Sequence, residues 1–395
     1  MFFEESKNSI GQPACVRQVE RDIEVGHEGA KCIMRPPMLR FVLIAAAIFL
    51  ILNAIAISQL LRLHPRRRRL VIAIASICNL MWLFIPILNA RTDFSRAARA
   101  ILGPPWFAWL CFILIYCVYL MLVFILRVPR VAASRIFLWT TLVALVAGVY
   151  TALVPLDVER VPVVLDGLPP SLHGTKIAII ADLHVGLFTR PSRLRRIFTT
   201  AAGLSPELVV IAGDMVDDDP TFTTKLLDAA RALPPSIPLI AVLGNHEMYG
   251  APHEVIERLR GSRIRLLVNE GMPLHGLWIA GLSDYAAQLP ELKPDFGAAL
   301  SQQSGFPIVI AHQPKAFPEA EQRKLPLTLC AHSHGGQFGF RRLGWSLAGV
   351  FLPYHMGLYR RGVSQLYVNT GTGYWLLPWR LGLPSEVTLI ELRSR

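Results

Sequence analysis

The chain has 395 residues, 53% of them hydrophobic, with a net charge of +12 and a mean hydropathy of +0.42. That is too apolar for an ordinary soluble enzyme, so membrane segments are expected. A nucleic-acid surface is disfavoured: residues 1–155 hold 17 Lys+Arg against 7 Asp+Glu (+10), residues 156–395 hold 23 against 21 (+2), and the basic excess therefore lies beside apolar segments.

Residues 1–37 are polar and mixed in charge and do not read as a signal peptide. Four runs follow that suit helices spanning a bilayer, about 20 apolar residues each: 38–60, 70–90, 106–126 and 136–155. None carries Asp, Glu, Lys or Arg at its middle, which disfavours a transport path, and Asn53 and Asn79 read as helix–helix contacts. Loops 61–69 (LRLHPRRRR) and 127–135 (RVPRVAASR) hold eight arginines; the opposite side holds seven basic residues, from Lys31 to Arg160. The positive-inside rule puts the arginine-dense loops in the cytoplasm and residues 156–395 on the outer face, the periplasm of a Gram-negative cell. The cytoplasmic face is the alternative, since one span more or fewer reverses the order.

Beyond Pro155 the texture changes. The stretch 165–174 (LDGLPPSLHG) reads as a linker into a domain with five short apolar runs: 176–180 (KIAII), 208–212 (LVVIA), 239–243 (LIAVL), 307–311 (PIVIA) and 327–331 (LTLCA). Each has the composition of a strand buried on both faces, and helical stretches such as 223–233 and 254–260 lie between some of them. The fold class is α/β, with ligands expected at the carboxyl ends of the strands. The organisation reads as a polar segment 1–37, a membrane domain 38–155 and a soluble domain 156–395. The six cysteines form no C-x-x-C motif and imply no disulfide framework.

Every one of the five runs ends in metal-binding residue types. In order they give Asp182 and His184 (ADLH), Asp214 (GDMVDD), Asn245 and His246 (GNHE), His312 (AHQP), and His332 and His334 (AHSHGGQ). A lone histidine at a strand end is usually a packed or capped residue, but five of the chain's eleven histidines fall here. Imidazole, carboxylate and amide oxygen without thiolate suit Mn²⁺, Fe²⁺ or Zn²⁺. Two such ions stabilise an in-line displacement at phosphorus and lower the pKa of a bound water.

Order and spacing resemble the calcineurin-like metallophosphoesterase superfamily: D-x-H, G-D, G-N-H-[DE], a single His, then G-H-x-H. The closer likeness is to its bacterial, membrane-associated YkuE-type branch, through AHSHGGQ and the stretches 167–186 and 368–392. It covers about residues 158–395. It implies an αββα sandwich, here preceded by about four transmembrane helices. It also implies a first metal on Asp182, His184, Asp214 and His334, and a second on the bridging Asp214, Asn245, His312 and His332. His246 would be the catalytic acid, oriented by Glu247. Ala331 replaces the usual glycine and is expected to crowd the backbone at most mildly. The run Asp217, Asp218, Asp219 replaces the Asp-Arg-Gly of protein Ser/Thr phosphatases and reads as helix caps or water-facing carboxylates.

These readings converge on a membrane-anchored phosphoesterase with two divalent cations, acting on a diester, a monoester or a lipid pyrophosphate. The substrate is expected to be lipid-linked or in the envelope, and the oligomeric state stays open. A membrane sensor whose metal domain binds a ligand without turnover is the alternative. Segment 345–359 (WSLAGVFLPYHMGLY) reads either as an acyl-chain or bilayer contact or as packed core, and the glycine-rich 369–375 (NTGTGYW) as a phosphate cradle or a simple turn.

Overall fold

A computed structural model describes residues 50–62, 65–89, 113, 116, 119–120, 130–187, 189–217, 219–249, 251–375 and 378–395, without the side chains of 78, 80–89 and 130–138. The chain divides into two compact units, 1–68 and 69–395. Helices α1 (Arg68–Asn89) and α2 (Arg130–Leu153) fall on the second and fourth expected spans. Residues 50–60 of the first span are helical; the third lies outside the described residues apart from four helical positions. Among the described residues no helix is long and apolar enough to cross a membrane. Helix α2 ends two residues before Pro155, as the steric conflict ahead of a proline requires.

The strands follow at once. One six-stranded sheet contains β1 (Leu156–Leu165), β2 (Lys176–Ile180), β3 (Leu208–Ala212), β4 (Leu239–Val242) and β5 (Ile264–Leu266). The other contains β6 (Glu270–Leu274), β7 (Leu277–Gly281), β8 (Phe306–Ile310) and β9 (Leu327–Cys330). After a two-residue ladder, β10 (Gly339–Phe340) with β11 (Trp345–Ser346), come β12 (Gly357–Arg361) and β13 (Ser364–Val368), which join the second sheet, and β14 (Ser385–Ser394), which joins the first. The orders are β1-β14-β2-β3-β4-β5 and β12-β13-β9-β8-β7-β6. All five runs expected as strands are strands.

Their composition follows from their position. Along β2, Ile177 and Ile179 belong to the core between the sheets, with Leu208 and Ile240 of the first sheet and Ile308 and Leu329 of the second. Ala178 and Ile180 face outward to helices α3 (Pro191–Gly203), α4 (Thr223–Ala230) and, past the short α5 (Asn245–Tyr249), α6 (Pro252–Leu259). On the far side α7 (Phe296–Leu300) and α8 (Phe317–Gln322) cover the second sheet. Each fully buried Leu or Ile is worth about 1.5–3 kcal/mol, so strands apolar on both faces are stable only between layers. The result is a helix–sheet–sheet–helix sandwich. The expected helices 223–233 and 254–260 are present as α4 and α6, the latter started earlier by Pro252, whose fixed φ suits a first helical turn.

Two strand relations place the site. β2, β3, β4 and β5 are parallel, as are β7, β8 and β9, so their carboxyl ends can be gathered at one edge. β14 runs antiparallel to β2, and β1 parallel to β14, so β1 starts at that same edge, directly after α2. The stretch 165–174 is therefore no linker ahead of the domain. It is an internal turn and 3-10 helix (Pro170–Leu172) after a strand that already belongs to the sheet.

Candidate metal centre

The backbone beyond the strand ends is wound tightly. Asp182 N–H donates to Gly213 O and His184 N–H to Asp214 O, both at 3.1 Å, so the first two ligand loops stay laced together past β2 and β3. Asp182, His184, Asp214, His332 and His334 all have positive φ, between 42° and 73°. Such a conformation costs a non-glycine residue on the order of 1–3 kcal/mol, and concentrations of it mark functional sites. Gly213 is needed on two counts: its φ is +84°, and a β-carbon there would lie 2.5 Å from His312 Nδ1.

The structure brings all eight expected residues together. The ligand atoms of Asp182, His184 and His334 lie within 4.8 Å of one another, as do those of Asp214, His312 and His332. Asn245 joins the second group, with Oδ1 3.1 Å from His312 Nε2. Asp214 links the groups: its Oδ2 is 3.1 Å from His312 Nε2 and 3.6 Å from His184 Nε2. Its Oδ1 accepts the His246 N–H at 3.0 Å. The His246 ring stands edge-on to His184, centroids 4.5 Å apart, and its nitrogen is also within reach of His184 and Asp217. Among the lining of a pocket of about 350 Å³ are His184, Asp214, His246, His332, Tyr249 and Trp375.

Electrostatics separates these groups. Burial alone would raise Asp214, but His312 close by, in charge and hydrogen bond, holds its carboxyl well below the usual range. Asp182 is pushed up to about 6 by burial, against His312 and with Asp214. His312 is raised well above an ordinary histidine: burial opposes this, and Asp214 outweighs it. Burial, with the charge of His312, lowers His332 to about 3; burial, with His184 and Arg380, lowers His334 well below its ordinary value.

This donor set fits cations. His184 Nε2 faces His334 Nε2 at 3.0 Å, and His332 Nδ1 faces His312 Nε2 at 3.2 Å. Where neither of two facing imidazole nitrogens carries a proton, their lone pairs converge as they would on a shared cation. Asp182 Oδ2 and His334 Nδ1 are buried with no hydrogen-bond partner. The outer nitrogens are set as metal sites require: His312 Nδ1 is 2.8 Å from Ala212 O and His184 Nδ1 is 3.1 Å from Asp217 Oδ1, so N–H donation to these oxygens turns each Nε2 to the cluster, where a cation would take the place of any proton on it. These are Asp/His clusters able to bind metal ions, of the kind found in dinuclear centres.

Several readings need correction. The carboxylate of Glu247 is engaged with backbone. Its two oxygens accept the backbone N–H of Val216 (2.9 Å) and Gly244 (2.7 Å), bracing the loops that carry Asp214 and Asn245. Burial, with Asp214 nearby, pushes it up to about 7. Asp217 does not simply face water, since it fixes His184, whereas Asp219 does cap the next 3-10 helix. The amides of 369–375 are no phosphate cradle: Thr372 N–H is given to Ala181 O and Gly373 N–H to Asp182 O. Ala331 is accommodated in the core between the sheets, with no positive φ.

Arg380 lies in the stretch 368–392 that carries the family likeness, without a role assigned to it there. It is fully buried, and its guanidinium donates to the carbonyls of Gly373 (2.7 Å), His334 (3.4 Å) and Thr370, tying the 370–373 loop to a ligand. The Pro-x-Arg pattern at 378–380 marks the position and not its partners.

Residues 175–336 match the calcineurin-like phosphoesterase family. An uncharacterized metallophosphoesterase of Helicobacter pylori is 32% identical over 250 residues, covering 62% of this chain and 66% of that protein. A transmembrane protein with metallophosphoesterase domain of Danio rerio is 31% identical, covering 64% and 61%. The chain thus spans just under two thirds of the length of these two. The uncharacterized metallophosphoesterase YkuE of Bacillus subtilis is 27% identical, covering 58% of this chain and 82% of YkuE.

Proposed function

Given the calcineurin-like phosphoesterase domain that this chain carries, we propose that it is a membrane-anchored, metal-dependent phosphohydrolase. It hydrolyses a phosphodiester, a monoester or a lipid pyrophosphate. The observation that carries this reading is Asp214, one carboxylate oxygen of which lies within 3.6 Å of imidazole nitrogens from both ligand groups. Asp182, His184, Asp214 and His334 would hold one divalent cation; Asp214, Asn245, His312 and His332 would hold the second, drawn from Mn²⁺, Fe²⁺ or Zn²⁺. When bound, such ions supply Lewis acidity that polarises the phosphoryl group and makes a water more acidic. The chain's own part is to fix the ligand tautomers through Ala212 and Asp217 and to present His246 at the pocket wall. There His246 delivers a proton to the leaving oxygen.

Turnover by the full chain, loaded in turn with each metal, is to be measured on a panel of diesters, monoesters and lipid pyrophosphates. Metal uptake without turnover on any of them favours the sensor reading. His246→Ala should slow the best substrate by about 10²–10⁴-fold, the usual share of one general acid, with metal content retained. Loss of metal in that variant would make His246 a ligand instead.

The organisation proposed is 1–37, a membrane domain 38–155 and a catalytic domain 156–395. Its support is the apolar sequence of four runs, the helical course of α1 and α2 along two of them, and the name of the Danio rerio relative, a transmembrane protein. The catalytic domain is placed on the outer face. A reporter that works only after export should be active when fused after Arg395 and silent when fused at Arg69. The reverse pattern puts the site in the cytoplasm.

A further inference from the structure

The stretch after the His332/His334 loop is apolar and uncovered. From Phe340 to Leu352 the side chains of Leu343, Val350 and Phe351 are 77%, 61% and 79% exposed, with Phe340, Trp345 and Leu347 more than 40% exposed beside them. Such a contiguous apolar ridge on a folded domain marks a contact surface. The ring of Phe340 stacks on Trp345 (centroids 6.1 Å), and both meet Phe338 edge-on, so the ridge is a built structure.

Three observations say what covers it. The first is charge: residues 338–362 contain no acidic residue and four arginines, of which Arg341 and Arg360 pair with Glu386 and Asp166 and Arg342 and Arg361 remain for the surface. The second is continuity with α2. Gly339 N–H donates to Leu381 O and Leu381 N–H to Gln337 O, while the adjoining Arg380 N–H donates to Gly148 O of α2 and Trp379 Nε1–H to Ala144 O. Gly148 is what admits the Trp379 ring, which fills the place of a β-carbon there. The ridge is thus strapped through three consecutive residues to the side of a helix whose exposed face is Trp139, Val143, Val146 and Tyr150. The third is topology: β1 starts at the edge where the ligand loops lie, so α2 enters the domain on its metal-bearing edge.

We propose that the 340–352 ridge is a bilayer-contact surface, seated in the headgroup region of an anionic phospholipid membrane beside α2. Leu343, Val350 and Phe351 enter the interface, and Arg342 meets lipid phosphates, as in interfacial segments that pair an apolar face with basic side chains. The metal-bearing edge then faces the membrane plane. Gly336 and Gln337, in the pocket wall, lie against the ridge: a β-carbon at Gly336 would be 2.9 Å from Leu347 Cβ. Phosphoesters carried by lipids therefore meet the pocket without leaving the interface.

This rests on the membrane anchoring proposed above, and the test separates the two. The photoreactive residue p-benzoylphenylalanine is placed singly at Leu343, Phe351, Trp139 and Arg231 in the full chain. Arg231 follows α4 and precedes β4, at the opposite end of the strands. Each protein is put in nanodiscs of phosphatidylcholine and phosphatidylglycerol, irradiated, and weighed by mass spectrometry. Lipid adducts are expected at 343, 351 and 139 and should be lost at 231. Adducts at 139 but none at 343 and 351 overturn the proposal and leave the anchor standing. Adducts at none of the four overturn the anchor as well. Adducts at 231 equal to those at 343 and 351 overturn the proposal by removing its orientation.

Discussion

Asp214→Asn is expected to strip the protein of metal and of turnover together. The replacement keeps shape and volume and removes one negative charge from a site where burial leaves few other counter-charges. Asp214 Oδ2 lies 3.1 Å from His312 Nε2 and 3.6 Å from His184 Nε2, and its carboxyl is held well below the ordinary range, so it is an anion at any working pH. An amide offers one weaker acceptor and turns its NH₂ on whichever imidazole it faces. Groups that only orient a ligand typically cost 10–100-fold in metal affinity or activity when removed; loss of the bridging ligand itself should cost no less than about a hundredfold. Metal per chain by elemental analysis and turnover on the best substrate are the two readouts. Full metal content with near-normal turnover would sink the ligand assignment.

The same residue shows what the sequence makes legible. A ligand two to four positions past a buried strand is fixed by local pattern: the apolar run sets the strand, and the parallel order of β2, β3, β4, β8 and β9 carries their ends to one edge. Asp182, His184, Asp214, Asn245, His246, His312, His332 and His334 were therefore readable before any fold was known. Partnerships across long separations were not. Asp217 finds His184 33 residues away, and Arg380 finds His334 46 residues away. The pairing of β1 with β14 joins strands more than 200 residues apart, so 165–174 looked like the way into a domain it already lies within. Composition also cannot tell an apolar stretch that is covered from one that is not. Segment 345–359 reads equally as core and as surface until Phe351 is seen exposed and Met356 buried.

Arg341→Met is expected to destabilise the domain without touching the metal site, and to invert its response to acid. Glu386 has no exposed side-chain surface and accepts hydrogen bonds from Arg341, Thr370, Tyr367 and Thr388. Burial raises its pKa, but the Arg341 guanidinium outweighs this and the net shift is downward. A folded pKa below the unfolded one means stability that is present above the unfolded value, about 4.3 for Glu, and is lost as pH falls through the folded value. Between pH 7 and 5 the native pair should therefore hold its full contribution. Removing the guanidinium leaves a buried carboxylate without its hydrogen-bonded counter-charge, a loss of about 3–5 kcal/mol. For a domain of this size 3 kcal/mol lowers Tm by about 6–12 °C. In the variant desolvation is opposed only by the Thr370, Tyr367 and Thr388 donors and the charge of Arg380, and the folded pKa is expected to rise above the unfolded one. Protonation then relieves the cost, and the variant should regain stability as pH drops from 7 to 5. Thermal unfolding of both proteins at the two pH values, followed by circular dichroism, reads this directly. Equal midpoints at pH 7, or a variant that weakens further at pH 5, would show that Glu386 is held by its hydroxyl and amide donors and owes nothing to Arg341.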